Sequence, residues 1–457
     1  MNLSLARVAE FISATGSYPA DGIVAGYSID SRTITTGELF FAVKGEILDG
    51  HDYVRSAFEK GAITAVVSKA RLASFPNQDN LLIVDDTLVA LQTISAAVRR
   101  LWGKPLIAIT GSAGKTSTKD AIAHLLSRRH HVLKSHGNLN NHFGLPLQLL
   151  KLKREHELAV MEVGMNHAGE IAALAKISKP DAGVITCVAP VHLEFFGSIA
   201  AIARAKFELI ESLSAGGIAI LNADDEFVSQ FGRDFHGRVV TFGMQHPADV
   251  RAEDVRLLGE AGSSFTLIVD GVRESCSLPL LGRHNVMNAL AAVATALQFG
   301  IAPSEAAAAL AGLVPSDKRG ETLHLAGATI INDCYNSNPS ALKSMVDALQ
   351  SLPAKRHIVI VGEMLELGTA GPQLHAECGA YMKGKADLVI GVRGLAQELV
   401  AAAAKAGVRS SYVETPEEAG ALLANELTEN DAVLLKASRG VRLERALDNL
   451  QGKSARS

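Results

Sequence analysis

Residues 109–126 read ITGSAGKTSTKDAIAHLL. The stretch follows the apolar run Leu106–Ile109 and leads into a pattern that puts Ala121, Ile122, Leu125 and Leu126 on one helical face. A strand, a glycine-rich turn and a helix in that order suit a phosphate cradle. Glycines let backbone N–H groups point inward around phosphate oxygens, a lysine reaches the outer phosphates, and a hydroxyl holds Mg2+. Thr110, Gly111, Ser112, Ala113, Gly114, Lys115, Thr116 and Ser117 would form that cradle, with Lys115 as the cation and Thr116 as the hydroxyl. The common spacing G-x-x-x-x-G-K-[ST] is not met, because Ile109 stands where its first glycine would be; the match is the shorter G-x-x-G-K-T from Gly111 to Thr116. The alternative is an ordinary glycine-rich turn with an exposed lysine.

A bound Mg2+ asks for acidic or imidazole partners as well. LAVMEVGMNHAGEI places Glu162 at the end of an apolar strand, and VAPVHLEFFGS places His192 just past another. Ligands of open α/β sheets sit at the carboxyl ends of the strands. Alone, His192 reads as a structural or surface histidine and Glu162 as a solvated acid. Together with Lys115 they form a constellation suited to ATP and Mg2+.

Those residues need a scaffold, and the chain is long enough for one. Its 457 residues suggest three domains at roughly 150 residues each. Hydrophobic residues make up 48%, enough for several cores. The formal net charge of −4, without a basic run, gives no electrostatic case for nucleic acid. Cys187, Cys276, Cys334 and Cys378 are far apart and form no CxxC pair, which fits a reducing compartment. Glu10 interrupts the N-terminus where a secretory signal would be apolar, and the richest apolar stretch, Ala289–Leu297, is too short to cross a bilayer. These features read as a soluble cytoplasmic protein.

The first 85 residues alternate short elements: strands at Phe40–Val43 and Ala65–Val67, a helix at Tyr53–Lys60. Thr87–Trp102 reads as a helix, with Leu88, Leu91, Ile94, Ala97, Val98 and Leu101 at helical spacing and Pro105 as its stop. From Leu106 the pattern is α/β, with strands at Leu106–Thr110, Leu158–Met161, Ala182–Val188 and Gly217–Leu221, and a helix at Ala289–Phe299. A boundary falls near Val314-Pro315. Beyond it, strands at Thr329–Ile331, Ile358–Val361, Leu388–Ile390 and Ala432–Leu435 alternate with helices, a parallel pattern without a GxGxxG fingerprint. Phe40, Phe41 and Val43 read as core.

TGSAGKTS, GNLNNHFGLP, MEVGMNHAGEI, HLEFFGSIAAIARAKFELIE, GRHNVMNALAA and NDCYNSNP occur in the order in which similar motifs occur in the Mur ligases, from Asp30 to Glu444. The chain resembles that family of ATP-dependent amide ligases of peptidoglycan precursor synthesis. The resemblance implies an α/β protein of three domains: a small α/β UDP-sugar domain (1–85, with a connecting helix 86–104), a central P-loop ATPase domain with a mostly parallel sheet (105–314) and a C-terminal Rossmann-like domain (315–457). DCYNSNP (Asp333–Pro339) and GEMLELG (Gly362–Gly368) resemble motifs of the member that joins D-alanyl-D-alanine to UDP-N-acetylmuramoyl-tripeptide (UDP-MurNAc-tripeptide), and the D-N-P-R of the diaminopimelate-adding member is absent. Those two motifs argue against another ligase of the superfamily, such as a folylpolyglutamate synthase-like protein. The intact Lys115, Glu162, His192 and Lys206 argue against a nucleotide switch that makes no amide bond.

The resemblance further implies ATP and Mg2+ as cofactors, UDP-MurNAc-tripeptide and D-alanyl-D-alanine as substrates, and a monomer. Lys115, His192 and Lys206 would be catalytic. Thr116, Glu162, His192 and a carbamylated Lys206 would hold Mg2+; Lys206 and Glu208 match the family's A-K-x-E, although a lysine in ARAKFELIE reads by itself as solvated. Asn138 would lie near the ATP phosphates. Asn285 and Asn288, three apart on one helical face, would meet the adenine, with a helix cap as the other reading of Asn285. Arg319 and Asp333 would contact ATP from the C-terminal domain. Asn140, Asn141, Tyr335, Asn336 and Asn338 would line the substrate sites; Asn338 also suits a helix cap before Pro339. Ser28, Asp30, Ser31 and Arg32 match the UDP-sugar region, where Arg32 pairs either with diphosphate or with an acidic neighbour. KASRG (Lys436–Gly440) resembles K-G-S-R, but Ala437 replaces glycine, and a loop needing positive φ there would exclude it; on that ground Lys436 and Arg439 stand outside the expected site.

Overall fold

Leu106–Thr110 is a strand buried on all five residues, as a strand covered by helices on both faces must be. It belongs to the middle of three sheets in a computed structural model that describes residues 1–75 and 78–454.

The first sheet is β1 (Gly26–Ser28), β2 (Glu38–Phe41), β3 (Thr64–Ser68) and β4 (Leu81–Val84), parallel and in chain order. Phe40 and Phe41 are fully buried and enter different clusters, as alternating strand residues do. The helix Thr87–Trp102 matches the reading residue for residue. Asp86 Oδ1 accepts from the N–H groups of Leu88 and Val89, and Gly103 closes the helix at φ 66°. The helix therefore ends before Pro105 can stop it. Leu101, expected on the buried face, is 50% exposed; Trp102, one residue on, is buried in its place and donates to His156 O at 3.1 Å. One hydrophobic cluster runs from Leu5 and Phe41 through Leu91 and Ile94 to Ala159 and Leu209, so the first sheet and the middle sheet share a core.

The middle sheet holds β5 (Leu106–Thr110), β6 (Val132–Lys134), β7 (Leu158–Glu162), β8 (Ala182–Ile185), β9 (Ile218–Asn222), β10 (Arg238–Gly243), β11 (Val250–Leu257), β12 (Ser263–Val269) and β13 (Val272–Leu278). Their spatial order is 13-12-11-10-9-8-5-7-6, parallel from β6 to β11 and antiparallel over β11, β12 and β13. The sequence reading had no strand between Leu221 and Ala289, so the antiparallel extension is new. Asp270 (φ 49°) and Gly271 (φ 79°) make its hairpin turn.

The third sheet is β14 (Glu321–Leu325), β15 (Ala328–Asp333), β16 (Arg356–Gly362), β17 (Leu388–Val392), β18 (Arg409–Val413) and β19 (Asp431–Lys436), in the order 14-15-19-16-17-18. All pairs are parallel except β14 with β15. All four cysteines are free. Among the described residues no helix is long and apolar enough to cross a membrane.

Candidate functional site

Between the carboxyl ends of β5 and β8 the chain forms a tight loop. A Cβ on Gly111 would fall 1.8 Å from Thr186 Oγ1, so only glycine fits there. Thr186 Oγ1 donates to Ala113 O at 2.6 Å, Ser112 N donates to Cys187 O at 2.9 Å, and Ser112 Oγ donates to Ala189 O at 3.1 Å. β8 was expected to continue to Val188; it stops at Ile185, and Thr186–Ala189 brace the loop instead. Gly114, at φ 79°, begins the helix Lys115–Leu126, and a Cβ there would fall 2.4 Å from Asn288 Oδ1. Free N–H groups at this helix start face the cleft, where an anion is favoured. Lys115 Nζ donates to Gly111 O at 2.8 Å, and burial lowers its pKa.

Glu162, at the end of β7, is 3% exposed. Thr116 Oγ1 donates to its Oε2 and Asn140 Nδ2 to its Oε1, each at 2.8 Å. A carboxylate has about four lone-pair sites, so Glu162 keeps acceptor capacity. With the Thr116 hydroxyl it makes the hard oxygen set that suits Mg2+ held by one carboxylate, waters and substrate phosphates. Among the described residues no group of three or more His, Cys, Asp and Glu forms an all-protein metal cage.

The loop opens onto a cleft of about 710 Å3 between the middle and third sheets. Ser112 to Ser117, Asn138, Asn140, Glu162, His192, Asn285, Asn288, Arg319, Asp333, Tyr335, Asn336 and Asn338 all line it. Residues more than 200 positions apart in the chain thus meet at one place. Thr110 and Gly111 underlie the loop rather than line the cleft, and the Thr110 hydroxyl is buried without a partner among the described residues.

Several expected residues have other engagements. His192 lines the cleft, but its Nδ1 lies 2.5 Å from Glu366 Oε2 of the GEMLELG segment, and that contact holds the Glu366 carboxyl below its usual range. Asn141 is not a cleft residue; its Oδ1 accepts from the N–H groups of Phe143 and Gly144 at the entry to the helix Gly144–Leu149. Asn285 is not the helix cap, a place taken by Gly282; its Nδ2 donates to Leu281 O and its Oδ1 accepts from Asn288. Asn338 fits both of its readings, since it lines the cleft and its Oδ1 accepts from Ala341 N at 2.8 Å as the cap of Pro339–Leu349. Asp333 pairs with Lys436 Nζ at 2.5 Å. Ser28 ends β1 and Asp30, Ser31 and Arg32 follow it, all away from the cleft lining. Arg32 takes its acidic neighbour, binding Asp30 through Nε and Nη2 at 2.8–3.3 Å.

Lys206 lies on the helix Ile199–Glu211 at 2% exposure, beneath the cleft rather than on it, and not solvated. No acidic side chain pairs with it among the described residues. Burial, then the charge of Lys115, lowers its pKa from 10.5 to about 7. Glu208 turns the other way: its two oxygens accept from Gly169 N and Ala172 N and cap the helix Glu170–Ser178.

Lys436 and Arg439 do line the cleft, which corrects their exclusion. Ala437 is not at positive φ, and its methyl is accommodated by Gly362, where a Cβ would come within 2.6 Å of it. The reading also left His284 unassigned, although GRHNVMNALAA contains it. His284 lines the cleft near Asp333 and Lys436, its Nδ1 is buried without a partner among the described residues, and burial pushes it down to about 4, a neutral ring at pH 7.

A phosphate loop at the end of a parallel strand, faced across a cleft by cations and amides of a second α/β sheet, places the protein in the class of phosphate-loop nucleotide-binding proteins. Family models for the Mur ligase middle domain (residues 109–296), the Mur ligase glutamate ligase domain (318–439) and the Mur ligase family catalytic domain (23–128) match the chain. UDP-N-acetylmuramoyl-tripeptide–D-alanyl-D-alanine ligase of Bacillus subtilis (strain 168) is 36% identical over 452 residues, 97% of each chain. A crystal structure of MurF from Acinetobacter baumannii superposes with a TM-score of 0.90 at 29% identity over 99% of each chain. MurF ligase from Thermotoga maritima in complex with ADP does so at 0.84 and 27%, over 94% of this chain and 98% of that one. The chain belongs to the Mur ligase family.

Proposed function

We propose that the protein adds D-alanyl-D-alanine to UDP-MurNAc-tripeptide, with ATP cleaved to ADP and phosphate, in peptidoglycan precursor synthesis. The observation that carries this reading is the convergence of the phosphate loop, Glu162 and the Asp333–Asn338 segment on one cleft. The names of the full-length relatives supply the substrates.

The tripeptide's terminal carboxylate attacks the γ-phosphorus, the bond to the β-phosphate oxygen breaks, and ADP leaves. The amine of D-alanyl-D-alanine then attacks the acyl carbon, the C–N bond forms, and phosphate departs with the C–O bond pair while the amine loses its proton. Positioning and charge neutralisation are the main demands of such transfer. Lys115 and the loop N–H groups neutralise the transferring phosphoryl oxygens. Thr116 and Glu162 would hold Mg2+, which would supply positive charge against the phosphates. Arg319 adds positive charge from across the cleft, and its guanidinium is held 3.8 Å above the Tyr335 ring. Asn336 and Asn338 face the peptide substrates, and Ser28, Asp30, Ser31 and Arg32 the UDP end.

The Lys206 amine, its pKa lowered by burial to about 7, carries an uncharged fraction at neutral pH that is nucleophilic towards CO2. Carbamylation forms an N–C bond, releases a proton and gives a carboxylate beside Lys115. The family resemblance suits a monomer, and nucleotide substrates suit the bacterial cytoplasm.

The test is phosphate release from ATP and Mg2+ with UDP-MurNAc-tripeptide, with and without D-alanyl-D-alanine, and mass spectrometry of the product. Release that depends on the dipeptide, with pentapeptide formed, is expected. Release indifferent to both substrates would refute the ligase reading.

A further inference from the structure

The chain crosses from the middle sheet to the third through an exposed linker; Val314 is 77% exposed. Two residues on, the linker is tied down. Ser316 Oγ donates to Asp120 Oδ2 at 2.7 Å. Asp120 lies on the helix Lys115–Leu126, four residues after Thr116 and so on the same helical face, about one turn deeper. Its other oxygen accepts from Lys134 Nζ at 2.7 Å, and Lys119 Nζ lies 3.6 Å away. Lys119 is 2% exposed, so the carboxylate is fixed from its own side as well. Burial works against the Asp120 charge, but Lys119, Lys134 and Ser316 outweigh it and lower its pKa.

Ser316 opens a turn closed by Arg319 N donating to Ser316 O at 3.0 Å. Lys318 within the turn has φ 54°, and its carbonyl accepts from Tyr335 N at 3.2 Å. Tyr335 carries the Arg319 guanidinium, which lines the cleft close enough to act on the charge of Lys115. The turn therefore has one end on the phosphate-loop helix and the other on the segment that follows β15 of the third sheet.

We propose that Asp120 and Ser316 are positioning residues: their hydrogen bond fixes the interdomain turn to the phosphate-loop helix and so sets where Arg319 stands over the phosphates. The proposal rests on the nucleotide reading of the cleft and not on the identity of the amide formed. A register set by one short side-chain bond is lost when that bond is lost, while the folded domains on either side remain.

Ser316→Ala is the variant of choice, because Asp120 keeps Lys134 and Lys119 and no buried charge is stranded. The probe is the Mg2+ complex of a non-hydrolysable β,γ-imido analogue of ATP, with affinity read by calorimetry on the full chain. Ser316→Ala is expected to weaken binding roughly tenfold, the size of a hydrogen bond to a charged group. Ser316→Thr, which keeps the hydroxyl, is expected to restore it to within about twofold. The deciding measurement is a double-mutant cycle. In an Arg319→Ala background, Ser316→Ala should cost nothing further. An undiminished cost there would overturn the proposal, as would a Ser316→Ala variant that binds like wild type. Those two outcomes, with wild type binding the analogue, overturn this proposal alone, whereas failure of the wild type itself to bind would overturn the nucleotide reading as well.

Discussion

Lys206→Met replaces a buried amine with an uncharged side chain of similar length. Lys206 is 2% exposed, has no acidic partner among the described residues, and sits near the like charge of Lys115. Its pKa falls from 10.5 to about 7 on folding. Between those values the unfolded chain binds a proton that the folded chain does not, so wild-type stability rises with pH across that window, by up to about 1.4 kcal/mol per unit. Below pH 7 both states are protonated and the full penalty stands, on the order of 5 kcal/mol for a shift of this size. At pH 9 about 1.5 units remain, roughly 2 kcal/mol. Methionine fills the space without the charge. Lys115 is present in both proteins and cancels to first order. The variant should therefore be more stable than wild type, and its advantage should shrink from pH 6 to pH 9. Urea unfolding in carbonate-free buffer reads this through the single tryptophan, Trp102, which is buried beside the middle sheet. A difference independent of pH, or a variant less stable than wild type at pH 6, would refute the reasoning.

With 13C-bicarbonate at neutral pH, wild type should give a carbamate carbon resonance that Lys206→Met lacks; identical spectra would sink the carbamylation. Gly111→Ala forces a methyl against Thr186 Oγ1, at 1.8 Å before relaxation. The bonds lacing the loop must break, so binding of an ATP analogue should weaken roughly 30-fold or more, and calorimetry showing wild-type affinity would contradict the loop geometry. Lys436→Met strands Asp333, whose side chain is 13% exposed. It should cost about 3 kcal/mol or more in urea unfolding, and Asp333→Asn in the same chain should recover part of the loss.

How far the sequence reaches depends on the range of the forces involved. The helix Thr87–Trp102 was legible to the residue because its periodicity is local; its Asp86 cap and Gly103 stop are local too, but they were not read, and Pro105 was taken as the stop. The phosphate loop was legible for the same reason, and β5, β7 and β9 showed as apolar runs. The antiparallel extension was not read, because β11 carries polar residues down one face and a register shift between Glu253 and Arg256. The Asp270-Gly271 turn was the signal that could have found it. Ala437 misled, since the local rule that alanine resists positive φ was applied to a residue that does not need it.

By itself the sequence determined which residue types could do the chemistry, the strands and helices that carry them, and, through ordered motifs, the family they resemble. Those are properties of short windows, set by periodicity, capping and backbone freedom. Only the tertiary structure decided what each group faces. It sank Lys206 into a low-dielectric site without a counter-charge among the described residues, turned Glu208 away to cap a helix, and set Glu366 against His192. It also joined Ser316 to Asp120 across 196 positions of chain. Desolvation and hydrogen bonding act through space at a few ångströms, and which residues come that close is fixed by how the sheets pack, not by their spacing along the chain.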